Sequence, residues 1–350
     1  MEQILGRSLS ELKEELKNCD FPGFRAEQLY NWFYKNLTVR TDNMTNLPPN
    51  FKHYLQENYI FTTFILEKVN EADDGTLKFL WKTEDDNLLE SVLIPQAGAN
   101  NIYTACLSSQ LGCNLSCKFC ATGISGKIRD LTAGEIVEQL WQMENYLRER
   151  KAGKIRNIVF MGMGEPLLNY EATKKSLEIF IEEKGLNFGR RRITVSTAGI
   201  VPGIKRFAAD FSQVGLAISL HSADNSVRSK LLPINQKYPL EVLKEALLYY
   251  NNLTRRRVTL EYIVFADEND SKDDAIKLKE FCSGLQSHIN LLRANPVPEL
   301  GITSTPLKKV NKFKNLLDNM GVSVSIRKSR GENKEAACGQ LRLKGRNDNI

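Results

Sequence analysis

The sequence holds no apolar run approaching the roughly 20 residues that a membrane-spanning helix needs, which argues against a membrane protein. Its first residues, M-E-Q-I-L-G-R-S-L-S-E-L-K-E-E, lack the apolar core of a secretory signal and read as an acidic helix. The expectation is a cytoplasmic protein, in a reducing compartment where cysteines serve metals and redox chemistry rather than structural disulfides. There is no internal repeat and no low-complexity segment, which excludes a repeat array. Histidine is scarce, with three in 350 residues. A strongly basic balance is also missing: the net charge of +6 and pI near 8.8 permit a nucleic-acid partner without demanding one. What is present is ordinary for a globular chain, 42% hydrophobic and 26% charged. The length suits one barrel-sized domain and a small accessory one.

The seven cysteines are unevenly spread, and four fall in C-L-S-S-Q-L-G-C-N-L-S-C-K-F-C, Cys106 to Cys120. Cys113, Cys117 and Cys120 form C-x3-C-x2-C with Phe119 before the last. Three thiolates on a short loop suit one compact inorganic centre, and a four-iron cluster normally takes four protein thiolates. A triplet therefore leaves one iron open to a small molecule. A zinc site, which usually takes four ligands, and plain buried cysteines are the bland alternatives. The spacing with its aromatic resembles the signature of radical S-adenosylmethionine (SAM) enzymes.

The remaining chain reads as an α/β protein. Residues 1–60 look helical: Ser8 and Ser10 precede a helical run, and F-R-A-E-Q-L-Y-N-W-F-Y-K-N-L puts Leu29, Trp32 and Phe33 on one face. Residues 61–97 change to strand periodicity, with a D-D-G turn at Asp73 to Gly75 and a third strand ending at Pro95. From residue 98 to 330, short β-branched runs alternate with helical stretches, the pattern of βα units on a parallel sheet. Six such units predict a partial (β/α)6 barrel, and Val322–Arg327 is a seventh strand able to close or extend its edge. Residues 331–350 form a C-terminal loop carrying Cys338.

In βα barrels, chemistry collects where strands end. The cysteine loop follows the first barrel strand, G-M-G-E-P (Gly162 to Pro166) the second, Ser196-Thr197 the third, S-L-H (Ser219 to His221) the fourth, and Asn295-Pro296 the sixth. Each alone is readily a turn or a helix cap. Together, beside three cysteines, they predict a cofactor pocket. There the thiolates leave an open iron for SAM's amino and carboxylate groups, and Gly164 lets backbone approach SAM. Glu165 suits its ammonium, and Ser196, Ser219 and Asn295 offer hydroxyl and amide partners. His221 reads equally as pocket donor or satisfied strand-end residue. Arg190–Arg192 and Arg255–Arg257 precede strands and so fall on the opposite face. Lys127, Arg129, Arg327, Lys328 and Arg330 follow strands and are candidates for phosphate contact.

The blocks Y-T-A-C-L-S-S-Q-L-G-C, G-M-G-E-P-L-L-N, S-T-A-G-I-V-P, I-S-L-H, L-P-I-N, N-P-V-P and E-A-A-C-G-Q-L make the chain resemble the RlmN/Cfr family of radical SAM RNA methyltransferases over nearly its whole length. The resemblance implies methylation of carbon 2 of an adenine in 23S rRNA, at the peptidyl-transferase centre, and of the adenine 3′ of certain tRNA anticodons. It implies a [4Fe-4S] cluster on Cys113, Cys117 and Cys120, two SAM molecules per turnover, and SAM contacts at Gly164, Glu165, Ser196, Ser219, Leu220, His221 and Asn295. Carbon 2 is electron-poor and does not attack SAM's methyl group, so the implied route first methylates Cys338. A radical made from a second SAM then activates that methyl group for addition to the base. Cys106 releases the product by attacking the Cys338 sulfur in a transient disulfide, and Glu90 occupies the proton-transfer position. The base must leave its stack, and the N-terminal domain is the implied grip on folded RNA. An electron donor such as flavodoxin or ferredoxin is implied, and a monomer is expected. Two other readings remain: Cfr-type methylation of carbon 8, against which Pro166 after G-M-G-E speaks, and a non-catalytic, zinc-stabilised RNA-binding protein.

Overall fold

The computed structural model describes residues 1–99, 101–124, 126–327, 330–331, 334–337 and 339–341. Lys328 and Cys338 therefore lie outside the described residues. The N-terminal unit is built from helices Leu9–Asn18, Phe24–Tyr30 and Pro49–Asn58. Ser8 and Glu11 form a capping box at the start of the first, and Pro49 opens the third, where a missing N–H costs nothing. Leu29 and Phe33 are fully buried as their spacing predicts, but Trp32 is only partly so, and Tyr30 and Tyr34 take its place inside. The cause is a wider π-type turn over Asn31–Lys35, which rotates the face away from regular helical spacing.

One ten-stranded sheet runs through the chain from Ile65 to Ile326. In chain order its strands are β1 (Ile65–Glu71), β2 (Leu77–Lys82), β3 (Leu88–Pro95), β4 (Ile102–Cys106), β5 (Lys154–Phe160), β6 (Ile193–Thr197), β7 (Gly215–Ser219), β8 (Val258–Val264), β9 (Ser287–Arg293) and β10 (Val324–Ile326). Their order across the sheet is their order in sequence. The first four pair antiparallel and β4 to β10 pair parallel, so a meander runs directly into an open βα sheet. The seventh run pairs with β9 and extends the edge.

Helices Ala133–Glu149, Tyr170–Ile181, Val201–Asp210, Leu240–Thr254, Lys272–Cys282 and Leu307–Asn319 join the parallel strands and bury their apolar stripes with the sheet in one core. Thr132 and Glu135 form a capping box at the start of the first of these. Helix Val201–Asp210 has weak sequence signals, with Pro202 and Gly203 in its first turn. Proline is tolerated there, and a Cβ at position 203 would come within 2.8 Å of Leu167, so close packing accounts for the glycine.

Candidate active site

The strand ends predicted to carry chemistry do meet. A cavity of 150 Å³ is lined by Cys113, Cys117, Cys120, Gly164, Glu165, Ser196, Ser219 and His221, joined by Glu261 and Arg327. Cys106, the last residue of β4, lies instead in an adjoining cavity of 60 Å³ with Asn295, Arg327, Arg330, Ala336 and Ala337. Met161, Leu292, Arg327 and Leu341 line both cavities.

The cysteine loop is held by its own first residues. The Ser108 hydroxyl donates to the Glu90 carbonyl (2.6 Å) and accepts from Met163 N–H (2.8 Å), while Gln139 brackets the Ser108 backbone from both sides. Gln110 accepts from Glu165 N–H at 2.8 Å. Gly164 stands at φ +95°, and a Cβ there would sit 2.5 Å from the Gln110 Cβ. The glycine is thus needed to let the G-M-G-E turn pack against the cysteine loop, a closer constraint than approach to a ligand. Among the described residues, no three His, Cys, Asp or Glu side chains converge on one metal-ion position. The three thiols instead surround a cavity, which suits a multi-iron centre because its irons take separate thiolates. Burial pushes the Cys113 thiol up to about 11 and raises Cys117 as well, with the neighbouring thiols adding to both. Thiols crowded this way ionise when a metal centre supplies the positive charge, so the donor set fits an iron–sulfur cluster.

Glu165 is buried, yet both carboxylate oxygens accept backbone N–H groups, from Leu167 (3.0 Å) and Ala198 (2.8 Å). Burial pushes its carboxyl up to about 7 against those hydrogen bonds. A carboxylate so placed suits an ammonium group, whose charge replaces the lost water. His221 sits at φ +58° with Nδ1 accepting from Ile263 N–H (3.1 Å), so the proton of the neutral ring is on Nε2. Its ring meets Phe119 edge-on at 4.6 Å, and burial, with the Arg228 charge, pushes its pKa down to about 3. The strand-end and pocket readings of His221 are therefore compatible. Leu220 departs from expectation: its side chain is fully buried outside the cavity lining, which leaves only its backbone for contact.

Several residues escaped the sequence reading. Arg228 is fully buried and donates to the carbonyls of Ala198, Ser219 and Leu220 and to Asn235 Oδ1, tying the ends of β6 and β7 together. Glu261 faces the cavity from β8, paired in register with Ser219. Its signal was available: a carboxylate inside the apolar run V-T-L-E-Y-I-V. Arg129 is not a free phosphate ligand, because its guanidinium binds Asp85 and Glu135 at 2.7 Å each, and Lys127 pairs with Asp130 at 2.9 Å. Six cysteines are described, and no disulfide joins any two of them. Glu90 lies in neither cavity; it is buried and ion-paired to Lys78 at 3.0 Å.

The residues around position 338 are tied to the site. Ala121 N–H donates to Gly339 C=O (2.7 Å), Thr122 donates to Leu341 C=O (2.5 Å) and Gln340 donates to Pro296 C=O (3.0 Å). Ala336 and Ala337 line the cavity of Cys106, and Gly339 lines that of Cys113, Cys117 and Cys120.

Comparison with known proteins agrees with this geometry. Residues 107–278 match the Radical SAM superfamily, and residues 3–60 match the ribosomal RNA large subunit methyltransferase N-terminal domain. The chain is 42% identical to the probable dual-specificity RNA methyltransferase RlmN of Caldanaerobacter subterraneus, covering 98% of both chains. It is 42% identical to that of Geobacillus kaustophilus, covering 99% of this chain and 93% of the relative. The chain belongs to the RlmN family of radical SAM RNA methyltransferases. A solved radical SAM methyltransferase from Sphaerobacter thermophilus superposes with a TM-score of 0.92 at 40% identity, over 98% of this chain and 99% of that one. Membership carries a [4Fe-4S] cluster and SAM as cofactors and an RNA substrate, and it sets aside the non-catalytic zinc reading. Among the described residues no helix is long and apolar enough to cross a membrane.

Proposed function

We propose that this chain methylates carbon 2 of adenine in 23S rRNA, at the peptidyl-transferase centre, and in tRNA just 3′ of the anticodon. The observation that supports the reading is that Ala336 and Ala337 line the cavity of Cys106, Gly339 lines that of Cys113, Cys117 and Cys120, and Leu341 lines both. When bound, the cluster and SAM supply a radical able to take hydrogen from a methyl group. The chain's own part is thiol chemistry. Cys338 takes a methyl group onto sulfur and carries it to the base, so two SAM molecules serve each turnover. Glu90 takes the proton that must leave carbon 2 before the ring regains aromaticity. Cys106 then attacks the Cys338 sulfur and frees the methylated RNA, leaving a disulfide for later reduction. Arg330, loosely paired to Asp74 at 3.9 Å, and Arg327 border the Cys106 cavity as candidates for phosphates flanking the flipped base. The enzyme acts as a cytoplasmic monomer reduced by a flavodoxin or ferredoxin.

Pro166 after G-M-G-E supports carbon 2 over carbon 8. Mass spectrometry of nucleosides from digested 23S rRNA and tRNA, with and without the gene, tests the reading. Loss of 2-methyladenosine from both RNAs is expected, and loss of an 8-methyl nucleoside instead would overturn the assignment.

A further inference from the structure

The meander β1–β3 touches the C-terminal loop at two points more than 250 residues away in sequence. At its first turn, Asp74 accepts from Gly331 N–H at 3.1 Å and faces Arg330 at 3.9 Å. On β2, Lys78 Nζ donates to Glu335 C=O at 3.1 Å and pairs with Glu90 of β3 at 3.0 Å. Lys78 stands opposite Val92 and Glu90 opposite Leu80, so the two side chains are diagonal neighbours on one face of the sheet. Both are buried, at 2% and 1% exposure. Two charges taken from water this completely need each other and further hydrogen bonds to persist, and the Lys78 ammonium uses one on the loop. Gly331 has φ +71°, and a Cβ there would lie 2.6 Å from the Ala336 Cβ and 2.9 Å from Thr76 Cγ2. The loop therefore folds against the meander at close backbone range.

We infer that Lys78 is a positioning residue that holds the Glu90 carboxylate and the backbone before Cys338 in one fixed relation, with Asp74 anchoring the start of the same loop. The inference rests on the proposed roles of Cys338 and Glu90. It gives the meander a task in the reaction: it ties the start of the carrier loop to the strand that bears the proposed proton acceptor. Misplacement by about 1 Å costs on the order of 100-fold in rate.

The test uses the cluster-loaded enzyme with RNA. Asp74→Ala changes only the partly exposed turn, while Lys78→Met, Lys78→Arg and the neutral double variant Lys78→Met/Glu90→Gln probe the pair. The double variant leaves no lone buried charge and so guards against simple failure to fold. Hydrogen exchange of the Gly331, Lys334 and Ala336 amides reads loop order, and kcat against KM for RNA reads its consequence. Expected are faster exchange in Asp74→Ala, Lys78→Met and the double variant, a kcat lowered about 100-fold in Lys78→Met with little change in KM, and partial rescue in Lys78→Arg. Wild-type exchange and kcat in both Lys78→Met and Asp74→Ala would overturn the inference. Cys338→Ala, run alongside, separates the two claims. If it still methylates RNA the carrier reading fails; if it is inactive while Lys78→Met is normal, only the positioning role fails.

Discussion

Burial pushes the Glu165 carboxyl up to about 7 and the His221 imidazole down to about 3, so each moves toward its neutral form. The same cause acts with opposite sign because one group is charged when deprotonated and the other when protonated. Glu144, partly buried and accepting from Ile155 N–H (3.2 Å), is also pushed up by burial, to about 7 from 4.5. Its folded form holds a proton more tightly than the unfolded chain, so its stabilising effect is complete below 4.5 and is lost as pH rises toward 7. Thermal melts of Glu144→Gln across that range are expected to fall less with pH than those of the parent. For Gly164→Ala, the left-handed φ and the 2.5 Å clash predict a loss of about 1–3 kcal/mol, measurable by denaturant unfolding, with weakened SAM binding. At the thiols, Cys338→Ala is expected to lose both RNA methylation and the protein-bound methyl group. Cys106→Ala is expected to accumulate RNA covalently attached to protein, visible as a shifted band on a denaturing gel. Recovery of free Cys106→Ala protein alone would remove its releasing role.

Among elements, the segment after β4 shows how a loop becomes a rigid ligand platform. Gln139 and Asn169 donate to the carbonyls of Ser108 and Ser109, while the Ser108 and Gln110 side chains bind the backbone of Glu90 and Glu165, all before Cys113 is reached. A short antiparallel ribbon, Gln110–Gly112 with Lys127–Asp130, then closes the loop at its base. Arg129 belongs to that ribbon and spends its charge on Asp85 and Glu135. Removing it is therefore expected to cost about 1 kcal/mol of stability or less per pair. Arg129→Ala should leave the salt dependence of RNA binding unchanged, measured by filter binding over a range of ionic strength; a shallower slope would restore it as a phosphate ligand. The sequence reading went astray here because position after a strand gives the face but not the partner.

For the whole molecule, one sheet carries both ends of the proposed chemistry. Its parallel half brings the ends of β4 to β8 around the cluster cavity, and its antiparallel half reaches the C-terminal loop. Protein purified without oxygen is expected to be brown, with about four irons per chain, one cluster's worth. Iron removal by a chelator should bleach it and lower its melting temperature, because a ligand that binds only the folded state stabilises that state.

Much of this was legible along the chain. The C-x3-C-x2-C spacing singled out the three thiols that the fold gathers on one cavity, because a small inorganic centre needs its thiolates local in sequence. Period-two and period-3.6 patterning located nearly all the strands and helices, because burial of one face imposes those periods. Glycine at 164 was marked by its motif, though its reason, the Gln110 contact, was not. What only the tertiary structure decided are pairings across long separations. Lys78 with Glu90 and Glu335, Arg228 with three strand-end carbonyls, Arg129 with Asp85, and Glu261 beside Ser219 all depend on sheet order and register. Hydrogen bonds and ion pairs form between neighbours in space, and a single sequence records which residues carry charge but not which ones the fold brings side by side.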